Sequence, residues 1–177
     1  MVWVAIVGPS GAGKDTILAA LREELAGDAH FHFARRVISR PEDAGGEAHE
    51  YLPPEGFAAA DLILQWEAHG LRYGIRRAEV ERAPVTLLNL SRTVLEEAAS
   101  RHPLLVAEVT APRAVLAERL RARGREEGAE IAARLDRKGT PLKGLNQVRI
   151  INDGPVHAAV AALRRALEAC AAGRFPP

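Results

Sequence analysis

Residues 2–7 read VWVAIV and run without a break into residues 8–16, GPSGAGKDT. An apolar strand thus leads into a glycine-rich loop, and a helical pattern opens at Lys14. Gly8, Gly11 and Gly13, set among Pro9, Ser10 and Ala12, allow successive backbone N–H groups to turn toward one point. The helix adds its positive end there, and Lys14 adds a full charge. Strand, loop and helix in this order make a cradle for nucleotide phosphates. Asp15 takes the place where such loops carry the Ser or Thr that touches Mg²⁺, and Thr16 follows it.

Outward from the loop, strands alternate with helices. Extended stretches are expected at 2–7, 32–39, 61–67, 73–75, 84–90, 103–109 and 147–151. Helices are expected at 14–26, 54–60, 76–83, 91–101, 112–123, 126–137 and 156–171, with an irregular segment at 41–54. Ser91 reads as an N-cap, and residues 152–155 (NDGP) as the cap of the last helix. Most of the strands are apolar throughout. That pattern predicts an α/β fold with a parallel sheet covered by helices on both faces. In such sheets ligands lie at the carboxyl ends of the strands, near a switch in strand order. Besides the loop, the polar residues at those ends are Glu67, residues 89–92, Thr110, Asn152 and Asp153.

A chain of 177 residues can bury a full core as a single domain over 1–177. The net charge of +1 argues against a general nucleic-acid surface. Lysine occurs only at 14, 138 and 143, and the other basic residues are arginines, which suit bidentate phosphate contact. Cys170 is the only cysteine, so no internal disulfide is expected and a reducing cytoplasm fits. No stretch approaches membrane-spanning length. The partners expected are small molecules rather than nucleic acid or membrane.

A phosphate loop alone serves ATPases, GTPases and small-molecule kinases alike. Here the apolar strand at 84–88 ends in Asn89 rather than an aspartate, and the strand at 103–109 contains Glu108. No room exists for the long insertions of motor ATPases. A small kinase fits best, with a second phosphate site opposite the loop and a mobile arginine-bearing lid. Arg35, Arg36 and Arg40 lie where that second site is expected, and an even separation puts Arg36 and Arg40 on one face of an extended strand. A solvated basic edge is the alternative. Arg119, Arg123, Arg125 and Arg134 are the lid candidates, with Gly124 as hinge. The alternative is a charged helix face paired with Glu118, Glu126 and Glu127. His49 and His69 read as surface histidines, Trp66 as core, and Cys170 as structural.

Seven fragments carry a wider likeness: 8–16 (GPSGAGKDT), 36–40 (RVISR), 46–49 (GEAH), 66–75 (WEAHGLRYGI), 89–92 (NLSR), 123–126 (RGRE) and 151–154 (INDG). In this order they resemble the ribose 1,5-bisphosphate phosphokinase family, a guanylate-kinase-like branch of the P-loop kinases associated with bacterial phosphonate breakdown. An aspartate after the loop lysine is itself a mark of that family. The resemblance implies transfer of the ATP γ-phosphate to the 1-phosphate of ribose 1,5-bisphosphate, giving 5-phosphoribosyl 1-diphosphate. It implies ATP held by residues 8–16, with Lys14 on the β- and γ-phosphates and Thr16 near the α-phosphate. Arg36, Arg40, Glu47, Tyr51, Glu67 and Tyr73 fall at acceptor-binding positions within a segment at about 32–83. Arg119, Arg123 and Arg134 close over the transferring group from a lid at about 119–138. With Asn89 at the strand end, Asp15 is expected to serve Mg²⁺ directly or through water. A guanylate-type nucleoside monophosphate kinase and a non-catalytic interaction module are the competing readings.

Overall fold

β1 (Val2–Val7) lies at the centre of a five-stranded sheet and is buried along almost its whole length. Its neighbours are β7 (Val85–Asn89) and β8 (Leu104–Thr110), with β2 (Phe31–Phe33) and β9 (Asn146–Ile151) at the edges. All four pairings are parallel. The computed structural model describes residues 1–41, 48–122 and 144–174. Glu47, Arg123, Arg134 and most of the segment expected as a lid lie outside the described residues.

Alternation along β1 divides the core. Val4 and Ile6 face α1 (Lys14–Glu24) and the helix here named α4 (Val156–Ala171), packing with Ile17, Leu21 and Leu163. Trp3, Ala5 and Val7 face the other way, toward Leu95 and Ala98 of α2 (Leu95–Arg101). Each fully buried leucine or isoleucine in these layers contributes about 1.5–3 kcal/mol.

The second face is not covered by helices alone. β3 (Arg36–Ile38), β4 (Glu50–Tyr51), β5 (Leu62–Ala68) and β6 (Leu71–Arg76) form a separate four-stranded sheet in the order β4-β3-β6-β5. Leu64, Trp66 and Ile75 of that sheet join the cluster around Trp3. The stretch read as one strand over 32–39 is therefore two, one in each sheet. The chain leaves the first sheet after Ala34, whose N–H still donates to Leu87 O. At Arg35 the backbone N–H donates to Glu79 Oε2 at 2.7 Å, and the same oxygen lies 2.9 Å from His32 Nε2. One carboxylate thus clamps the passage between sheets. Burial works to raise the Glu79 carboxyl, but the Arg35 amide and the His32 ring bring it below the usual value.

Candidate active site

The phosphate loop occupies the carboxyl end of β1, where the strand order switches from β7 on one side to β8 on the other. Two of its glycines are required by close approach. A β-carbon on Gly8 would collide with the Val109 carbonyl, and one on Gly13 would collide with the Asn152 amide. Both positions also have positive φ. Lys14 Nζ curls back over the loop and donates to Gly8 O at 2.8 Å and Pro9 O at 3.2 Å.

Asn152 is where the structure departs from the expected cap. The first residue before α4 is Pro155, with no side-chain cap bond. Asn152 is buried at the end of β9, and its Nδ2 donates to Ala12 O at 2.8 Å while its backbone N–H donates to Thr110 O. A buried amide that reaches across the sheet end to the phosphate loop is satisfied there, not at the helix. From the far side, Arg119 on α3 (Arg113–Ala122) sends Nη1 to within 3.5 Å of Gly11 O. Of the three arginines proposed to close over the loop, Arg119 is the one within the described residues.

Asp15 and Thr16 are exposed in the first turn of α1. Asn89, buried at the end of β7, donates from Nδ2 to Asp15 Oδ1 at 3.4 Å. These two side chains stand at one end of a cleft of about 250 Å³ whose wall also includes Arg22, Phe33, Arg36 and Leu87. Arg22 was not singled out by sequence reasoning. Its guanidinium lies 5.0 Å from the centroid of the Phe33 ring. Only the meeting of α1 with β2 reveals that pair, since nothing in the spacing of 22 and 33 announces it.

Glu108 does not stand open to a metal. Both Arg92 and Arg149 bond its carboxylate, the latter through Nε at 3.4 Å. Two guanidinium groups thus more than offset its charge beside Val7, the residue just before the loop.

The expected acceptor residues are only partly gathered. Register places Arg36, Ile38, Tyr51, Tyr73 and Trp66 on one face of the second sheet. The Tyr73 ring stacks on Trp66 at 5.4 Å, and the Arg36 guanidinium sits 5.3 Å from the Tyr73 centroid. Glu67 is offset by one residue from Trp66, so it faces the opposite way. It is exposed and bonds Arg72 Nε at 3.2 Å. The even-spacing argument for Arg36 and Arg40 fails, because β3 ends at Ile38 and a bend follows. Arg40 O instead accepts from His49 Nε2 at 2.8 Å, while His49 O accepts from Arg35 Nη2 at 2.6 Å. His49, expected on the surface, is 2% exposed because its ring is the pin that holds this bend. His69 is exposed as expected, and Trp66 and Cys170 are buried.

A phosphate-cradling loop at the switch point of a parallel sheet, with an arginine-bearing cleft beside it, defines a P-loop kinase. Ribose 1,5-bisphosphate phosphokinase PhnN of Brucella melitensis biotype 2 is 44% identical over 90% of this chain and 88% of its own length. The chain belongs to the ribose 1,5-bisphosphate phosphokinase family. A bifunctional ribose 1,5-bisphosphokinase-thymidine phosphorylase of Azorhizobium caulinodans is 43% identical over 88% of this chain, which spans about a quarter (24%) of that protein's length. Guanylate kinase from Anaplasma phagocytophilum shares the fold, with a TM-score of 0.62 at 18% identity, covering 96% of this chain and 85% of that one. No family model matches the chain.

Proposed function

We propose that this kinase transfers the γ-phosphate of ATP to the 1-phosphate of ribose 1,5-bisphosphate, producing 5-phosphoribosyl 1-diphosphate, in a cytoplasmic route of phosphonate breakdown. The observation that carries the reading is the cleft itself. Asp15 and Asn89 stand where it meets the phosphate loop, and its walls carry arginines, in a chain of this family. The acceptor is a phosphate already ionised near neutral pH, so no general base is needed. Catalysis reduces to alignment and charge neutralisation.

In this reading residues 8–16 hold ATP, with backbone N–H groups on the phosphates and Lys14 leaving the Gly8 and Pro9 carbonyls for the β- and γ-oxygens. Arg119, with Arg123 and Arg134, neutralises the transferring group. Arg36, Arg40, Glu47, Tyr51 and Tyr73 bind the acceptor. Glu67 contributes from the outer face through Arg72 rather than directly. Asp15 fits Mg²⁺: an exposed carboxylate with an amide neighbour suits a hard cation that keeps several waters and takes its other oxygens from phosphates. When bound, Mg²⁺ would lessen the charge on the phosphates. Asn89 orients the Asp15 carboxylate, and Asn152 holds the Ala12 carbonyl of the loop.

A guanylate-type acceptor requires recognition of a base edge, for which this chain offers Glu67 and Ser39; Glu67 faces away from Tyr73 and Arg36, and Ser39 Oγ accepts from the Arg72 amide. Incubation with Mg-ATP and either ribose 1,5-bisphosphate or GMP, followed by phosphorus NMR, tests the assignment. A new diphosphate signal with ribose 1,5-bisphosphate is expected. A signal with GMP alone would overturn it.

A further inference from the structure

The cleft beside the phosphate loop has two chemically different ends. Asp15, Leu18, Ala19 and Arg22 all line it, and their spacing of three, four and seven residues makes a single stripe along α1. The stripe is about 10 Å long at 1.5 Å per residue. Its two ends are fixed by the sheet. Asp15 stands level with Asn89, the last residue of β7. Arg22 lies over Phe33, which pairs with Leu87, two residues earlier on the same strand. Arg36 adds a second guanidinium to the cleft wall. The loop end is thus carboxylate and amide, and the distal end is basic.

Resting on the proposed acceptor, we infer that Arg22 binds the phosphate of ribose 1,5-bisphosphate that does not react. A sugar bisphosphate must present one phosphate to the γ-phosphate at the loop and park the other away from it. The basic end of the cleft is the place chemistry assigns for the second. An arginine held over an aromatic ring has its position set while its N–H donors remain suited to phosphate oxygens. Arg36 works from the opposite wall, so the distal phosphate is gripped from both α1 and the second sheet. This contact makes the enzyme selective for a bisphosphate over a sugar carrying only the 1-phosphate.

Arg22→Gln and Arg22→Lys, compared with wild type, test the inference. Initial rates are measured with ribose 1,5-bisphosphate and with ribose 1-phosphate. With the bisphosphate, Arg22→Gln is expected to raise KM about tenfold or more, the size of one lost charge-assisted hydrogen bond, with the KM for ATP unchanged. With ribose 1-phosphate, the variant and wild type are expected to agree within about twofold. Arg22→Lys is expected to recover part of the loss. Arg22 also lies in the last turn of α1, where a cation stabilises the helix end. If that is its whole role, Arg22→Gln lowers the melting temperature and leaves the preference for the bisphosphate intact, and the inference is wrong. An equal loss with both acceptors overturns it too. Wild-type turnover of GMP but not of ribose 1,5-bisphosphate would instead remove the functional reading beneath it. As a readout apart from turnover, ribose 5-phosphate alone should raise the melting temperature of wild type and not of Arg22→Gln. Equal shifts would count against the site.

Discussion

The two sheets of this molecule encode their halves of the site in opposite ways. On the parallel sheet the half proposed to hold the phosphate donor is contiguous: strand, loop and helix occupy residues 2–24, and Lys14 bonds carbonyls five and six residues away. On the second sheet the half proposed to bind the acceptor is assembled from distant pieces. Arg36 meets Tyr73, Arg35 meets His49 and Glu79, and Glu50 meets Arg76. Local encoding makes a motif that can be read residue by residue. Non-local encoding makes a surface whose membership depends on strand register.

If that contrast is physical, damage to each half should have a different signature. Lys14→Ala removes the charge on the donor side and should lower kcat by about 10²–10³-fold, the cost of one lost preorganised donor at a transferring oxygen. Its melting temperature should stay near that of wild type, since the Nζ bonds to Gly8 O and Pro9 O stay within the loop and tie no distant element to it. A large kcat remaining in Lys14→Ala would break the assignment of this loop as the donor site. Asn152→Ala comes next. It leaves the Ala12 carbonyl without its buried partner and should cost about 1–3 kcal/mol of stability. It should raise the KM for ATP several-fold while sparing the acceptor KM, in paired calorimetry and kinetics. Equal effects on both substrates would show that the two halves are not separable.

The contrast also explains what the sequence disclosed. Residues 8–16, the helix after them and the buried central strands were legible because period and spacing are local properties, and α4 was found at the bounds expected. The second sheet was legible only in part: β5 and β6 lie where extended stretches were expected, but their membership of a separate sheet did not show. Residues 32–39 look like one strand because alternation does not say which sheet receives each half, and Glu79, forty-four positions beyond Arg35, decides that. Glu67 and Tyr73 were grouped by their position in a fragment, but a strand's period of two puts Glu67 on the face opposite Trp66 and Tyr73. His49 looked like a surface residue because its burial arises from contacts with Arg35 and Arg40, fourteen and nine positions earlier in the chain. Asn152 was seen as polar and well placed, yet its partner Ala12 lies 140 positions away.

Glu79 permits a sharper test, because it belongs to the junction rather than to either half. Glu79→Ala removes acceptors from the Arg35 amide and the His32 ring and should cost about 1–2 kcal/mol. The acceptor KM should rise and the ATP KM should not. The folded-state carboxyl lies below its ordinary value of 4.5, so its contribution is complete above that pH and is lost as pH falls through the folded value. The stability gap between wild type and Glu79→Ala should therefore be widest near neutrality and close in acid. A gap that persisted in acid would mean that packing, not the charged carboxylate, holds the sheets together.

The smallest effect should come from the Glu50–Arg76 pair, which reaches from β4 to β6 across β3 with contacts of 2.8 and 2.5 Å. Hydrogen bonding to Arg76 holds the Glu50 carboxyl below its usual value, against the opposing effect of burial. About a third of each side chain is exposed, so water and salt screen the pair and its contribution should be near 0.5 kcal/mol. Glu50→Gln should thus lower the melting temperature by a degree or two near neutral pH. The sign is the same as for Glu79: the loss is present above 4.5 and disappears as pH falls through the depressed folded value. Unlike the Glu79 effect, it should also shrink on raising salt, because Glu50 is the more exposed carboxylate. If Glu50→Gln proved as damaging as Glu79→Ala, the second sheet would owe its position to an exposed ion pair as much as to the clamp at Arg35, and the junction would not be the point where the two halves are joined.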